Sequence, residues 1–196
     1  MKKHLTKIEE YKLIQSYKKG NIKALKQIYE AYAEEMYNIS LRLLKNKEDA
    51  EDIVQEVFTD AFKNINDFRF DSSLGYWLKR ITINKSINLL KKKNINILNL
   101  ENDNNYFDSI INENYNFIID DYDETQTQNF VEMIIEALNE LPDGYRIIFS
   151  LYLLEGYSHQ EIAQILNISE STSKTQYLRA KKKIKEILKN KGYGKI

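Results

Sequence analysis

The stretch from Ser171 to Arg179 gathers Ser171, Thr172, Lys174, Thr175, Gln176 and Arg179. Their hydroxyl, amide, ammonium and guanidinium groups donate to phosphate oxygens and to base edges, and a helix presenting them outward has what a major groove requires. A second set lies nearer the amino terminus. Asn84, Lys85 and Asn88 follow a loop, Asn66 to Ser73, that carries Phe68, Arg69 and Phe70. Asn bonds base edges, Lys meets phosphates and aromatic rings hold unstacked bases, so this set suits opened nucleic acid. A third set, Asp52, Gln55, Glu56 and Thr59, makes a compact acid and amide face. Acids in a first helical turn stabilise the helix through its dipole, and the same face could dock a basic partner surface. Neither half of the chain holds a glycine-rich phosphate loop or a carboxylate pair arranged for catalysis. Enzyme activity is therefore not expected.

The elements that must position these groups are legible in order. Tyr157 to Ile184 reads as two short helices with a tight turn between them. Ser158 and Glu161 have the spacing of a capping box, which fixes the start of the first helix. Ile162, Ala163, Leu166 and Ile168 supply its buried seam. Asn167 tolerates the left-handed backbone that the turn needs, Ser169 caps the second helix, and Lys181, Lys182 and Lys183 extend it as a basic run. This is a helix-turn-helix.

Toward the amino terminus, Ile8 to Lys19 forms a short helix ended by Gly20, and Asn21 caps a longer one. Its core stripe is Ile22, Leu25, Ile28, Tyr29, Tyr32, Met36, Ile39 and Leu43. Glu48, Asp49, Glu51 and Asp52 open the next helix, whose buried side is Ile53, Val54, Val57, Phe58, Ala61, Phe62 and Ile65. From Leu74 to about Lys93 a further helix carries Leu74, Trp77, Leu78 and Ile81 on a stripe that continues as Asn84, Lys85, Asn88 and Lys92. Asn94 to Gln128 has no helical period and reads as a linker, extended or partly disordered. Helical spacing resumes at Phe130, and Pro142 suits the start of a helix from Asp143 to Glu155.

The expected fold is all-α. Residues 1–93 make an amino-terminal helical bundle, 94–129 an acidic flexible linker, and 130–196 a four-helix domain containing the helix-turn-helix. Only one proline and six glycines occur in 196 residues, which agrees with helical architecture. The absence of cysteine removes disulfides, Cys-based zinc sites and thiol nucleophiles. His4 and His159 have no ligand spacing, so neither a metal nor a cofactor is called for. No apolar run reaches membrane-spanning length and no signal-peptide core opens the chain, so no membrane insertion and a cytoplasmic location are expected. The net charge of +0 conceals segregation: Lys79 to Lys93 is basic, Glu101 to Glu124 is acidic without a Lys or Arg, and the chain from Lys174 is basic again. With no net positive charge, counterion release contributes little to DNA affinity, and promoter binding would need a partner.

With both halves in view, the chain resembles a bacterial sigma factor of the extracytoplasmic-function type over nearly its whole length. Glu48 to Phe58, EDAEDIVQEVF, is similar to region 2.2 of that family. Ser73 to Lys93, SLGYWLKRITINKSINLLKKK, is similar to regions 2.3 and 2.4, and Leu141 to Ile184 to region 4. The resemblance implies core RNA polymerase and promoter DNA as partners, often with an anti-sigma factor. Asp52, Gln55 and Glu56 would contact the polymerase clamp. Asn84, Lys85 and Asn88, with Phe68 and Arg69 in the loop, would meet the melted minus-10 element; Lys174, Thr175, Leu178 and Arg179, with Ser171, Thr172 and Gln176 beside them, would lie along the minus-35 element. The acidic connector would thread the polymerase. The sequence departs from the family at Asn88, where many members have Asp, at Ser173, where an aliphatic residue is usual, and at Gln176, where Arg is frequent. A free helix-turn-helix regulator with a sensor or dimerisation bundle is the competing reading, and a helical interaction protein without DNA contact is a third.

Overall fold

A computed structural model describes residues 5–93 and 133–192. The chain divides into two compact units, Met1–Lys93 and Asn94–Ile196, and every regular element among the described residues is helical. The linker expected over 94–129 lies outside the described residues, as does Phe130, the expected start of the next helix.

The amino-terminal unit comprises α1 (Lys7–Lys18), α2 (Lys23–Leu44), α3 (Lys47–Lys63), a 3-10 turn (Ile65–Asp67) and α4 (Leu74–Lys92). Lys45 in the left-handed conformation ends α2, and the Asn46 side chain then caps α3 by accepting from the Asp49 amide. Ile28, Tyr32, Met36, Ile39 and Leu43 of α2 are buried with Ile53, Val54, Val57, Phe58 and Ala61 of α3. Three members of the expected α2 stripe lie outside this core: Leu25 is half-buried, Ile22 is 75% exposed and Tyr29 42%. Ile22 precedes the first turn of α2, and Tyr29 packs edge-on against Phe58 from outside, with ring centres 4.8 Å apart.

On α4 the seam facing the bundle runs in steps of four through Leu74, Leu78, Thr82, Ser86 and Leu90, all buried. Two of these are polar. The Thr82 hydroxyl donates to the Leu78 carbonyl at 2.9 Å, and Ser86 lies 3.4 Å from Ser40 of α2, hydroxyl to hydroxyl. Small side chains at that crossing let two helices approach while each polar atom keeps a partner.

The same condition governs Glu10, which is 3% exposed. Its carboxylate accepts from the Tyr32 hydroxyl at 2.5 Å and from the Leu74 amide at 3.0 Å. Leu74 is the first residue of α4, so this amide is one that the helix itself leaves without an acceptor. Burial, then the Glu10 carboxylate, pushes the Tyr32 hydroxyl far above its ordinary value, keeping it a donor. Gly75 completes the junction: a Cβ there would lie 2.9 Å from Tyr32 Cε1.

The carboxy-terminal unit comprises a helical stretch over residues 133–140 (α5), α6 (Asp143–Phe149), α7 (His159–Leu166) and α8 (Glu170–Asn190). Ile134, Ala137, Leu138, Leu141 and Phe149 pack with Ala180, Ile184 and Leu188 of α8. The helix expected as far as Glu155 is α-helical only to Phe149 and continues as a π-wound turn, Ser150–Leu154. In that wider turn Ser150 is buried and Tyr152 lies against the His159 ring.

Glu10→Ala leaves the Leu74 amide and the Tyr32 hydroxyl without their acceptor, and we expect the amino-terminal unit to lose about 2–3 kcal/mol of stability. Glu10→Gln, which keeps an oxygen, costs less. Urea unfolding followed by Trp77, the chain's single tryptophan, reports this unit directly. An unchanged midpoint in the alanine variant contradicts the role of Glu10.

Candidate nucleic-acid interface

Three local devices set the helix-turn-helix. Ser158 accepts from the Glu161 amide at 3.2 Å while Glu161 accepts from the Ser158 amide at 2.8 Å, so the capping box is formed. Asn167 ends α7 at φ 59 and ψ 52. Ser169 caps α8, accepting from the Thr172 amide at 3.0 Å. Ile162 and Leu166 are buried, whereas Ala163 and Ile168 of the expected seam are half-buried.

Along α8, Ser171 and Lys174 are exposed, and Thr172, Thr175, Leu178 and Arg179 are half-buried. The Thr175 hydroxyl donates to the Ser171 carbonyl at 2.9 Å, and Lys174 pairs with Glu170 one turn earlier at 2.7 Å. Gln176 is not presented outward as the sequence reading expects. It is 6% exposed, and its Oε1 is buried with no hydrogen-bond partner. The buried positions of α8 are Ser173, Gln176, Ala180, Ile184 and Leu188; the three-and-four spacing of the apolar ones extends back through two polar residues, which is the signal that places Gln176 inside.

Ser173 is fully buried, and its hydroxyl lies 2.9 Å from His159 Nδ1, joining the start of α7 to α8. The His159 ring stacks on Tyr152 with centres 4.3 Å apart, and Tyr177 packs on Tyr152 at 4.5 Å. Burial pushes the Tyr177 hydroxyl up to about 12. Burial first, then the Lys174 charge, holds His159 below its ordinary value, while Glu170 pulls the other way.

On the amino-terminal unit, Asp52, Gln55 and Glu56 are all exposed on α3, opposite its buried stripe. Asn84 and Asn88 are exposed on α4 and share a face, with Lys85 half-buried beside them. Lys85 is engaged by α3: its Nζ lies 3.0 Å from Glu56 and 2.8 Å from Asp60. Hydrogen bonding to Asp60, and then to Glu56, raises the Lys85 pKa against the opposing effect of burial. In the loop, Arg69 is exposed, but Phe68 is only 8% exposed: the ring expected to face bases instead closes the loop over the bundle. It packs on Trp77 at 5.2 Å and on Phe70 at 4.9 Å. Phe70 is the more accessible ring and sits at φ 63, a conformation uncommon for a bulky side chain. Sequence spacing alone cannot separate the two, since burial of a loop ring is decided by tertiary contacts.

The described residues thus comprise a helical bundle bearing exposed acids and amides and a unit ending in a capped helix-turn-helix. Residues 28–95 match the family profile described as Sigma-70 region 2, and residues 131–184 match Sigma-70, region 4. The ECF RNA polymerase sigma factor SigW of Bacillus subtilis (strain 168) is 30% identical over 188 residues, covering 91% of this chain and 96% of that protein. SigM of the same organism is 28% identical over 163 residues, covering 82% and 93%. Among solved structures, the fold is similar to the sigma factor RpoE in complex with the anti-sigma factor NepR from Bartonella quintana, at a TM-score of 0.51 and 23% identity over 86% of this chain and 98% of that one. The chain belongs to the ECF RNA polymerase sigma factor family.

Because folding holds the His159 pKa below its value of 6.5 in the unfolded chain, the unfolded state binds the extra proton as pH falls. The stability associated with the neutral ring is then present above about 6.5 and lost as pH drops through the folded pKa. We expect the carboxy-terminal unit to unfold at lower urea at pH 5.5 than at pH 7.5, and His159→Asn to shrink that difference. Magnetic resonance signals of Tyr177 and Ala180 followed through urea report this unit; an equal pH dependence in the variant contradicts the assignment.

Proposed function

We propose that the chain is a dissociable initiation subunit that binds core RNA polymerase in the cytoplasm and turns it toward a specific set of promoters, with no catalytic chemistry of its own. The observation that carries this reading is the division of labour on the amino-terminal unit. An exposed acid and amide face on α3 stands beside an exposed pair of asparagines on α4, while a separate helix-turn-helix occupies the other unit. A sensor or dimerisation bundle has no use for the first two.

In this assignment Asp52, Gln55 and Glu56 dock the polymerase. Asn84 and Asn88 read base edges of the opened minus-10 segment, Lys85 and Arg69 meet its phosphates, and Phe68 shapes the loop from beneath. Ser171, Thr172, Lys174, Thr175, Leu178 and Arg179 follow the minus-35 duplex. Gln176 supports that helix from inside. The residues divide accordingly, with 1–93 as the core and minus-10 domain, 94–129 as the connector and 130–196 as the minus-35 domain. The RpoE neighbour is held by an anti-sigma factor, and a partner of that class is extended to this chain. Among the described residues no helix is long and apolar enough to cross a membrane.

Gel shifts on a promoter fragment, with and without core polymerase, test the assignment. We expect weak binding alone and tight binding with core, since a chain of net charge +0 gains little from counterion release. Asp52→Lys with Gln55→Ala should abolish the core-dependent shift while leaving the fold intact. Equal affinity with and without core would favour a free regulator, and normal core binding by the double variant would reduce the α3 face to a helix-stabilising feature.

A further inference from the structure

Two sets of ion pairs join α3 to α4. Lys93 of the loop end of α4 lies 2.6 Å from Asp49 at the start of α3. Nearer the middle, the Lys85 ammonium sits between Glu56 at 3.0 Å and Asp60 at 2.8 Å. The Lys85 side chain is 24% exposed, against 60% for Glu56 and 47% for Asp60. The cation between the two exposed asparagines is thus already surrounded by two oxygen acceptors from another helix, the coordination that a phosphate would offer. Asp60 belongs to none of the surfaces assigned above. Its carboxyl is held below the ordinary range by the hydrogen bond from Lys85, and the Lys85 ammonium is shifted in the complementary direction.

We propose that Asp60 and Glu56 form an acid clip that holds Lys85 in place of phosphate, so that polymerase docking on Glu56 and strand binding through Lys85 draw on the same ion pairs and are thereby linked. This inference rests on the reading of Glu56 as a docking residue and of the α4 face as a strand-binding surface. When core takes Glu56, Lys85 keeps only Asp60, and its transfer to a phosphate becomes easier. Linkage is reciprocal for binding free energies, so a strand that draws Lys85 away releases Glu56 for core. Asp60 acts here as a positioning residue: it touches Lys85 and sets how much of its charge is available to DNA. The pairs are partly exposed, so the coupling is modest, on the order of two- to fivefold.

The experiment uses the full chain and, as probe, a fluorescein-labelled DNA single strand of mixed sequence, titrated by anisotropy over a range of salt without core. Asp60→Asn should bind about two- to fivefold more tightly than the natural chain, with a salt slope steeper by about 0.7 for one added phosphate contact. Adding Lys85→Gln to it should return binding to the level of Lys85→Gln alone. Glu48→Gln, which makes the same change in net charge at an exposed position, is the control. A gain no larger than that control, or one that survives Lys85→Gln, overturns the clip by reducing it to net charge. Glu56→Gln is the second variant on this arm and should reproduce the gain should Asp60→Asn melt early. On the core arm, Lys85→Gln should tighten binding to polymerase by a similar factor, and unchanged core affinity overturns the linkage. Failure of the docking assignment itself is read separately, from intact core binding by the Asp52 and Gln55 double variant.

Discussion

The Glu10 carboxylate accepts one hydrogen bond from the Tyr32 hydroxyl of α2 and one from the leading amide of α4, and the arrangement of the amino-terminal unit follows from those two bonds. A buried carboxylate is costly unless its lone pairs are used, and here they serve a group on each of two other helices. The start of α4 is fixed by that contact and by the Ser73 cap beside it. With the start fixed, the α4 seam of Leu78, Thr82, Ser86 and Leu90 faces the bundle. Asn84 and Asn88 then have no place but the solvent side. The loop before α4 is held by the same construction: Phe68 packs on Trp77 in the first turn of α4, and Lys18 at the end of α1 donates to the Asn66 carbonyl at 3.2 Å.

The carboxy-terminal unit is built differently. Its helix-turn-helix is determined by contacts between residues at most a few positions apart: the Ser158 and Glu161 box, the left-handed Asn167 and the Ser169 cap. Packing enters through the His159 to Ser173 hydrogen bond and the Tyr152, His159 and Tyr177 ring cluster. Where the family resemblance leads one to expect an aliphatic residue at position 173, a hydroxyl and an imidazole share the site. This exchanges a pH-independent apolar contact for one that depends on the protonation of a ring.

That contrast explains what the sequence discloses. The Ser158 and Ser169 caps, the Asn167 turn and the exposed acids of α3 are local and legible from spacing, and the helical character of both units follows from apolar periodicity; Asn21, expected to cap α2, lies one residue before the observed cap position, Ile22, which makes no side-chain cap bond. The polar members of the seams were not legible. Glu10 lies four residues before Ile14, Thr82 and Ser86 continue the line from Leu78, and Gln176 continues the line from Ala180. In each case the stripe extends through a residue type usually found outside; Glu10 and Ser86 meet polar partners on other helices, the Thr82 hydroxyl bonds the Leu78 carbonyl of its own helix, and the Gln176 Oε1 is buried with no hydrogen-bond partner. Tyr29 shows the converse, an aromatic ring on the expected stripe that stays 42% exposed. Lys85 was legible as a cation on the right face, but its engagement by Glu56 and Asp60 depends on how α3 and α4 pack.

The division of tasks between the two units and the polymerase is tested most directly by reconstituted transcription. Purified core polymerase is supplied with fragmented genomic DNA from the source organism, with and without the full chain, and the 5′ ends of the transcripts are sequenced. The account predicts a limited set of start sites that appears only when the chain is present, sharing two sequence elements upstream at a constant separation. Start sites unchanged by the chain, while the chain alone binds duplex DNA tightly, would contradict it.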